Sequence, residues 1–291
     1  MRMENRLVLI LVLGLGTKSF AQTSGEYIGL QYSLYPSGEE YTTISRSKLY
    51  AGFTSRFKHL SFEHALGFEV DHLDFPIEYS TNDNNPSRIY DFSYAVNLNY
   101  EISEFLELHL ELEPTLTSDL KNSLSSKDLF LYGGAFALLR GEVDTKPFYF
   151  KLGVAYSRYL GEPEFLPVLS FSSRLSERLY FKLGFPESKI TYMLGPSGSL
   201  SAGLQYEGKY ANLSSPRYLE DNDPANKLKW EWSSLNVNYS YELNKFWSFD
   251  FGIGYLLKNN FSLRNENEKT ISTFKLDSSP FLSSGIKLMF N

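Results

Sequence analysis

Apolar and polar residues alternate along most of this chain, and the alternation is sustained far longer than a soluble strand needs. Leu106, Leu108, Leu110 and Leu112 interleave with Glu107, His109, Glu111 and Glu113. On a helix, leucines two apart stand about 200° from one another and leave no apolar face; on a strand all four share one side. Ile28, Leu30, Tyr32 and Leu34 repeat the pattern, as do Phe148, Phe150, Leu152, Val154 and Tyr156, and Trp247, Phe249, Phe251, Ile253 and Tyr255. The fold class is all-β.

Strand length separates a soluble sandwich from a membrane barrel. Soluble strands peak at roughly 5–6 residues and tilted membrane strands need roughly 9–11. The pattern predicts strands near 27–35, 47–57, 60–72, 88–102, 105–116, 129–141, 148–160, 166–175, 178–185, 189–194, 199–210, 230–243, 246–257 and 281–290. That is a single antiparallel up-and-down transmembrane β-barrel of about 14 strands, an even number as single-chain bacterial barrels have. Strands 178–185 and 189–194 are short, so 12 is the alternative count. Past the N-terminus the longest glycine-free apolar run is Ala135–Leu139, and mean hydropathy is −0.28, so no helix crosses a membrane.

The connections alternate in length. Lys58-His59, Ser103-Glu104, Ser176-Glu177 and Asn244-Lys245 are tight turns, and longer polar loops are expected at 36–46, 74–87, 117–128, 211–229 and 258–272. Short turns at one rim and long loops at the other are the asymmetry of an outer-membrane barrel. Three turns share a quasi-repeat: Tyr100-Glu-Ile-Ser-Glu-Phe, Ser173-Arg-Leu-Ser-Glu-Arg and Tyr241-Glu-Leu-Asn-Lys-Phe align without gaps.

The N-terminus carries an export address. Arg2 and Arg6 precede an apolar core, Leu7–Leu15, and Ser19-Phe20-Ala21 forms a small-x-small cleavage site. The expected organisation is a signal peptide over 1–21 and one outer-membrane barrel domain over 22–291. Net charge is −6; loss of Arg2, Arg6 and Lys18 against Glu4 leaves −8 in the mature chain, which argues against a nucleic-acid partner. The chain has no cysteine, which excludes disulfides, thiolate zinc sites and cysteine nucleophiles.

Two segments carry a resemblance. The last stretch, Phe281-Leu-Ser-Ser-Gly-Ile-Lys-Leu-Met-Phe-Asn, resembles the C-terminal strand by which outer-membrane barrels are presented to the barrel-assembly machinery, except that Asn291 rather than an aromatic residue is terminal. Leu166-Pro-Val-Leu-Ser-Phe through Leu183-Gly-Phe-Pro-Glu-Ser-Lys-Ile-Thr-Tyr resembles a family of uncharacterised Gram-negative outer-membrane barrels known only as a domain of unknown function. The resemblance covers the middle third of the chain. It implies location and fold and brings no activity.

Catalytic and cofactor signals are weak, and the expectation is no enzyme and no cofactor. His109 stands among Glu107, Glu111 and Glu113, a pattern open to a general base or a metal but better suited to a charged lumen strand. His64 and His72 fall on the apolar face, where a lipid-modifying hydrolase would place a serine–histidine pair and where a bulge or rim residue also sits. Asn82-Asp83-Asn84 and Asp221-Asn222-Asp223 lack the glycine and distal glutamate of an EF-hand loop. Gly195-Pro196-Ser197-Gly198 is a turn between strands, not a phosphate cradle. Trp230, Trp232 and Trp247 lie near strand ends, where an aromatic girdle is expected, yet parity turns Trp230 and Trp232 inward unless Ser233-Ser234 hold a bulge.

The polar face is the lumen face. It includes Glu107, His109, Glu111, Glu113, Lys151, Lys182, Asp250 and Lys287. Fourteen strands close at roughly 28 Å backbone diameter, leaving a passage on the order of 15 Å unless something fills it. Strand 129–141 is apolar on both faces, which points to something packed inside it. The leading expectation is a passive pore or small-solute transporter with a weak cation preference. The alternative is a non-conducting structural or surface-binding barrel acting through its loops, with a lipid-modifying hydrolase more distant. The expected partners are outer-membrane lipid and lipopolysaccharide, the assembly machinery and small solutes.

Overall fold

A computed structural model describes residues 22–23, 26–36, 43–74, 87–143, 145–218 and 224–290. The expected signal peptide, the Asn82-Asp83-Asn84 and Asp221-Asn222-Asp223 clusters and Asn291 lie outside them. Fourteen strands form the ring: β1 (Glu26–Pro36), β2 (Thr43–Phe57), β3 (Leu60–Asp74), β4 (Arg88–Ser103), β5 (Leu106–Ser118), β6 (Leu129–Val143), β7 (Lys146–Ser157), β8 (Glu164–Arg174), β9 (Leu179–Phe185), β10 (Glu187–Met193), β11 (Gly198–Tyr218), β12 (Pro224–Glu242), β13 (Trp247–Arg264) and β14 (Pro280–Phe290). Each pairs antiparallel with its sequence neighbours, and β14 returns to β1 through Leu282↔Leu34 to Phe290↔Glu26. The ring is closed, so no ring strand leaves a whole edge unpaired, the condition for crossing a membrane as strands. Two short segments lie off it: Gln22–Thr23 against β2, and Thr270–Lys275 against the end of β13.

The alternation that makes these segments strands also sorts their side chains. On β5, Leu108, Leu110 and Leu112 are exposed while Glu107, Thr115 and Thr117 are buried. Exposed Ile28, Phe68, Leu152, Leu235, Ile253 and Leu282 continue the apolar outer wall around the ring. At the short-turn rim Phe57, Phe105, Phe246, Trp247 and Phe290 are exposed, an aromatic girdle suited to a membrane–water boundary. Across the outer wall of β9 to β14 runs an apolar groove of about 1070 Å³ lined by Leu183, Ile190, Leu204, Leu235, Ile253 and Leu282, with the small Ala202 among them.

The quasi-repeat has a physical origin. In each copy the same turn position accepts a hydrogen bond from the backbone N–H two residues on: Ser103 Oγ from Phe105 (3.3 Å), Ser176 Oγ from Arg178 (3.4 Å) and Asn244 Oδ1 from Phe246 (2.9 Å). A short oxygen-bearing side chain is what such a turn demands. The motif is turn chemistry, used three times at one rim.

Two loop expectations are corrected. Regions 211–229 and 258–272 are not simple loops: β11 runs on to Tyr218, β12 begins at Pro224, and β13 reaches Arg264 before pairing with Thr270–Lys275. These extensions leave the wall. Near 210 both faces of β11 are buried, with Lys209, Tyr210, Ala211, Asn212 and Leu213 all below a tenth exposed. A strand in a membrane wall has one face to lipid, so this stretch lies inside the molecule. Asn212 pairs in parallel with Ser118 of β5, six strands away around the ring. The β11–β13 sheet therefore folds across the long-loop mouth as a lid.

Candidate functional site

The interior has two levels. At the short-turn end the charged residues remain open to water: Arg56, Glu63, Glu101 and Glu104 are exposed. Glu101 and Glu107 stand directly opposite on β4 and β5, a repulsive pair by itself. Arg140 of β6 offsets it, binding Glu107 and lying 3.7 Å from Glu101. His109 Nε2 is 3.0 Å from Glu107 Oε1 but without hydrogen-bond alignment. Lys151 sits 4.0 Å over the Phe136 ring, and Lys182 lies 3.0 Å from Glu187. Asp250 accepts from Ser240, its cross-strand partner, and Lys287 stands opposite Ser248 and Gly29. Glu111 faces Asn97 across β4–β5, and Glu113 accepts from Thr115 at 3.4 Å. No group of three or more metal-ligating side chains occurs among the described residues.

At the long-loop end the interior is filled. Trp230 and Trp232 stack at 4.2 Å between ring centroids, and both are almost fully buried. Tyr35 meets Trp230 edge-on at 6.1 Å, and Trp230 Nε1 donates to Asn259 at 2.8 Å. Ile44, Leu73 and Ile89 of β2 to β4 pack with Ala211, Leu213 and Leu228 of the lid into one core. The parity argument thus places Trp230 and Trp232 correctly inward. A bulge does occur beside Ser233-Ser234, but the extra residue is Leu257 on β13, opposite them. It turns Phe261 and Leu263 into the core instead.

Charge ties the lid to the opposite wall. Lys209 of β11 binds both Glu69 and Asp71 of β3, and Lys209 and Asp71 are essentially unexposed. Arg46 of β2 reaches Asp71 at 2.7 Å, Glu69 at 3.1 Å and Glu207 of β11 at 3.8 Å. Its guanidinium lies 4.8 Å from the Trp232 ring centroid and 5.3 Å from that of Trp230. Arg158 pairs with Asp91 and lies 3.2 Å from the Thr117 hydroxyl. Such pairs survive burial only because partners compensate the desolvation of every charge.

Sequence reasoning missed three of these cations. Arg46 lies on the lumen parity of β2 but one residue before the predicted start at 47. Arg140 lies on the even, inward parity of strand 129–141 beside Leu138, at the end of a run of otherwise apolar inward residues. Arg158 has outward parity with Tyr156, but β7 ends at Ser157 and the chain turns in. Phe130 and Tyr132, on the inner apolar face of strand 129–141, meet what fills the lumen: Phe130 packs edge-on against Tyr210 of the lid at 5.5 Å and Tyr132 receives the Arg158 guanidinium at 5.3 Å.

Of the lipid-side histidines, His64 stacks on Phe53 at 4.4 Å with its Nδ1 2.9 Å from the Tyr94 hydroxyl, and His72 is exposed beside Arg88. Neither meets a serine hydroxyl in these contacts. The Gly195–Gly198 segment closes a turn, with Leu194 N–H donating to Gly198 O at 2.9 Å.

Residues 63–289 match the family described as a domain of unknown function, DUF6268. No curated protein matches. Among solved structures, the COG4313 outer membrane channel from Pseudomonas putida F1 aligns at 10% identity and TM-score 0.45, over 94% of this chain and 97% of its own. The TodX deltaS2S3 mutant monoaromatic hydrocarbon channel aligns at 9% identity and TM-score 0.43, over 92% and 89%. The NanC porin aligns at 8% identity and TM-score 0.41, over 90% and 98%. The closed barrel rests on this chain's own pairing ladder rather than on these likenesses.

Proposed function

Since this chain belongs to the DUF6268 family, a domain of unknown function, its activity must be sought in its own geometry, and we propose that it is an outer-membrane channel for small solutes whose mouth is closed by its own lid. The supporting observation is the pairing of Asn212 with Ser118 across the mouth, with Lys209 bound to Glu69 and Asp71 beneath it. A permanently open pore keeps its lumen polar and wet. Here a tryptophan stack and two interlocked cations fill it at one level, while a charged vestibule stays open at the other. The protein resides in the outer membrane, exported by the cleavable segment 1–21, with its apolar wall against lipid and its short turns at the opposite rim. Glu111 and Glu113 give the vestibule a weak cation preference; Glu107 contributes less than its position suggests because Arg140 binds it.

Planar-bilayer recording tests this reading. The wild-type barrel is expected to be closed most of the time, whereas a variant with residues 211–228 replaced by a short turn should conduct steadily and favour cations modestly. A wild type with the same steady conductance as the shortened variant would show that the lid closes nothing. Two silent proteins, both folded, would favour a structural barrel instead.

A further inference from the structure

The wall itself is interrupted at one place. Strands β9 and β10 have seven residues each, and their hairpin ends at Pro186. Pairing of β8 with β9 stops at Leu169↔Phe185, and pairing of β10 with β11 stops at Gln205↔Glu187. Yet β8 continues to Glu164 on one side, and β11 continues past Tyr206 into the lid on the other. Above Pro186 the ladder is thus missing two strands. At the level of the hairpin three strand spacings, roughly 14 Å, separate β8 from β11.

The turn between β7 and β8, residues 158–163, fills that gap as a stopper. A Cβ built on Gly208 of β11 would lie 2.1 Å from the Arg158 carbonyl oxygen and 2.6 Å from Gly161 Cα, so the turn's backbone rests directly on the strand. Gly161 has φ of +89°, a conformation that favours glycine. Tyr159 packs edge-on against Phe185 at 6.0 Å, and Phe185 meets Tyr206 at 5.5 Å. Glu162 latches the turn to the lid, 2.8 Å from Lys229 and bound by Arg264.

Behind the stopper the inner wall changes character. Phe136, Ala155, Leu166 and Val168 are all buried and all apolar, a lane on β6 to β8 that stands apart from the core under the lid and beside the charged groups of the vestibule. On the outer face beside the gap Phe165 and Leu169 of β8 are exposed and apolar, as a wall that meets hydrocarbon is. We propose that this gap is a lateral gate, and that the ligands it serves are small apolar molecules that move along the lane and leave sideways into the membrane when the turn at 158–163 swings out. The proposal rests on the channel reading for its aqueous entry, and it names the class of solute. A polar solute would gain nothing from an apolar lane that ends in lipid.

The chain has no cysteine, so an engineered pair reports on this contact alone. A Cβ on Gly161 lies 2.9 Å from Glu231 Cβ, within a small shift of the ~3.8 Å that a disulfide spans. The variant Gly161→Cys/Glu231→Cys should be expressed in intact Gram-negative cells and challenged with N-phenyl-1-naphthylamine, which fluoresces on entering lipid. Wild type is expected to accelerate uptake severalfold over cells lacking the protein. The oxidised variant should fall to that background and recover on reduction, with the Gly161→Cys single variant reporting what a side chain at this left-handed φ does to the turn by itself. A second variant, Tyr159→Ala, should raise uptake by loosening the stopper. Equal uptake in oxidised and reduced forms overturns the lateral gate, as does wild-type uptake no faster than background. Polar-ion conductance of the lid-shortened barrel with the same disulfide separates the two readings: conductance that persists while apolar uptake is lost supports the gate, and loss of both by one lock shows a single axial path and overturns it.

Discussion

Replacing Lys209 by methionine removes the cation that joins the lid to β3 and keeps the length of the stem. Lys209 is 3% exposed and Asp71 is unexposed, so the charge left behind cannot recover hydration without the lid moving. Removing one partner of a buried pair costs about 3–5 kcal/mol. Arg46 still holds both carboxylates, which places the cost near the lower end. At ~1.4 kcal/mol per tenfold, the open-to-closed ratio of the lid should rise by roughly two orders of magnitude. The double change Lys209→Met/Asp71→Asn removes one buried carboxylate together with its cation, leaves Arg46 between Glu69 and Glu207, and should restore most of the closure. Lys258→Ala is the control: Lys258 is 53% exposed and its pair with Glu231 is worth ~1 kcal/mol or less. Open probability in planar bilayers reads all three. If Lys209→Met, shown to be folded by its heat-dependent gel mobility, opens no more often than Lys258→Ala, the ionic latch does not hold the lid.

Other consequences are independent of the latch. Leu108→Arg, on the outer wall at 40% exposure, should hinder membrane insertion by roughly 2–4 kcal/mol if it lies near the midplane, measured as a lower folded fraction in lipid vesicles. Intact mass of the membrane-extracted protein should correspond to a chain beginning at Gln22, and a retained segment 1–21 would make it an anchor. At the mouth, burial alone would raise the Glu162 carboxyl, but hydrogen bonds from Lys229 and Arg264 and their charges hold it below its ordinary range. A depressed carboxylate stabilises the docked turn above its unfolded pKa of ~4.3 and ceases to do so as pH falls through its lower folded value. Apolar-probe uptake should therefore rise only below that ordinary range, and Glu162→Gln should show the raised level at neutral pH.

The barrel was legible in the sequence because each strand states its own face. Period-two alternation in β1, β5 and β13 requires no partner to be known, and the serine or asparagine of each tight turn marks where a hairpin closes. Even the short pair β9 and β10 was readable, since Ile190 and Tyr192 still alternate with Lys189 and Thr191. What local pattern could not supply was where a strand leaves the wall. Residues 211–229 are rich in Asn, Ser and Lys, and a polar run reads as loop whether it meets water or folds back over its own barrel. The contacts that decide between these, Lys209 to Asp71 and Asn212 to Ser118, join residues about 140 and 94 positions apart. The clue that was visible, apolar residues on both faces of strand 129–141, indicated that the lumen held something. It did not say that the occupant was the far end of β11.

If the β11–β13 lid closes the mouth, a covalent lock at its bridge to β5 must silence the channel. Asn212 and Ser118 are backbone partners in a parallel bridge, so cysteines there meet the Cα separation a disulfide accepts, 4.4–6.8 Å. Single-channel recording of Ser118→Cys/Asn212→Cys should show openings abolished when oxidised and restored to wild-type frequency within the same membrane after reductant is added. Unchanged openings with the disulfide formed, verified by mass, would mean that ions pass without the lid moving, and the lid would not be the closure.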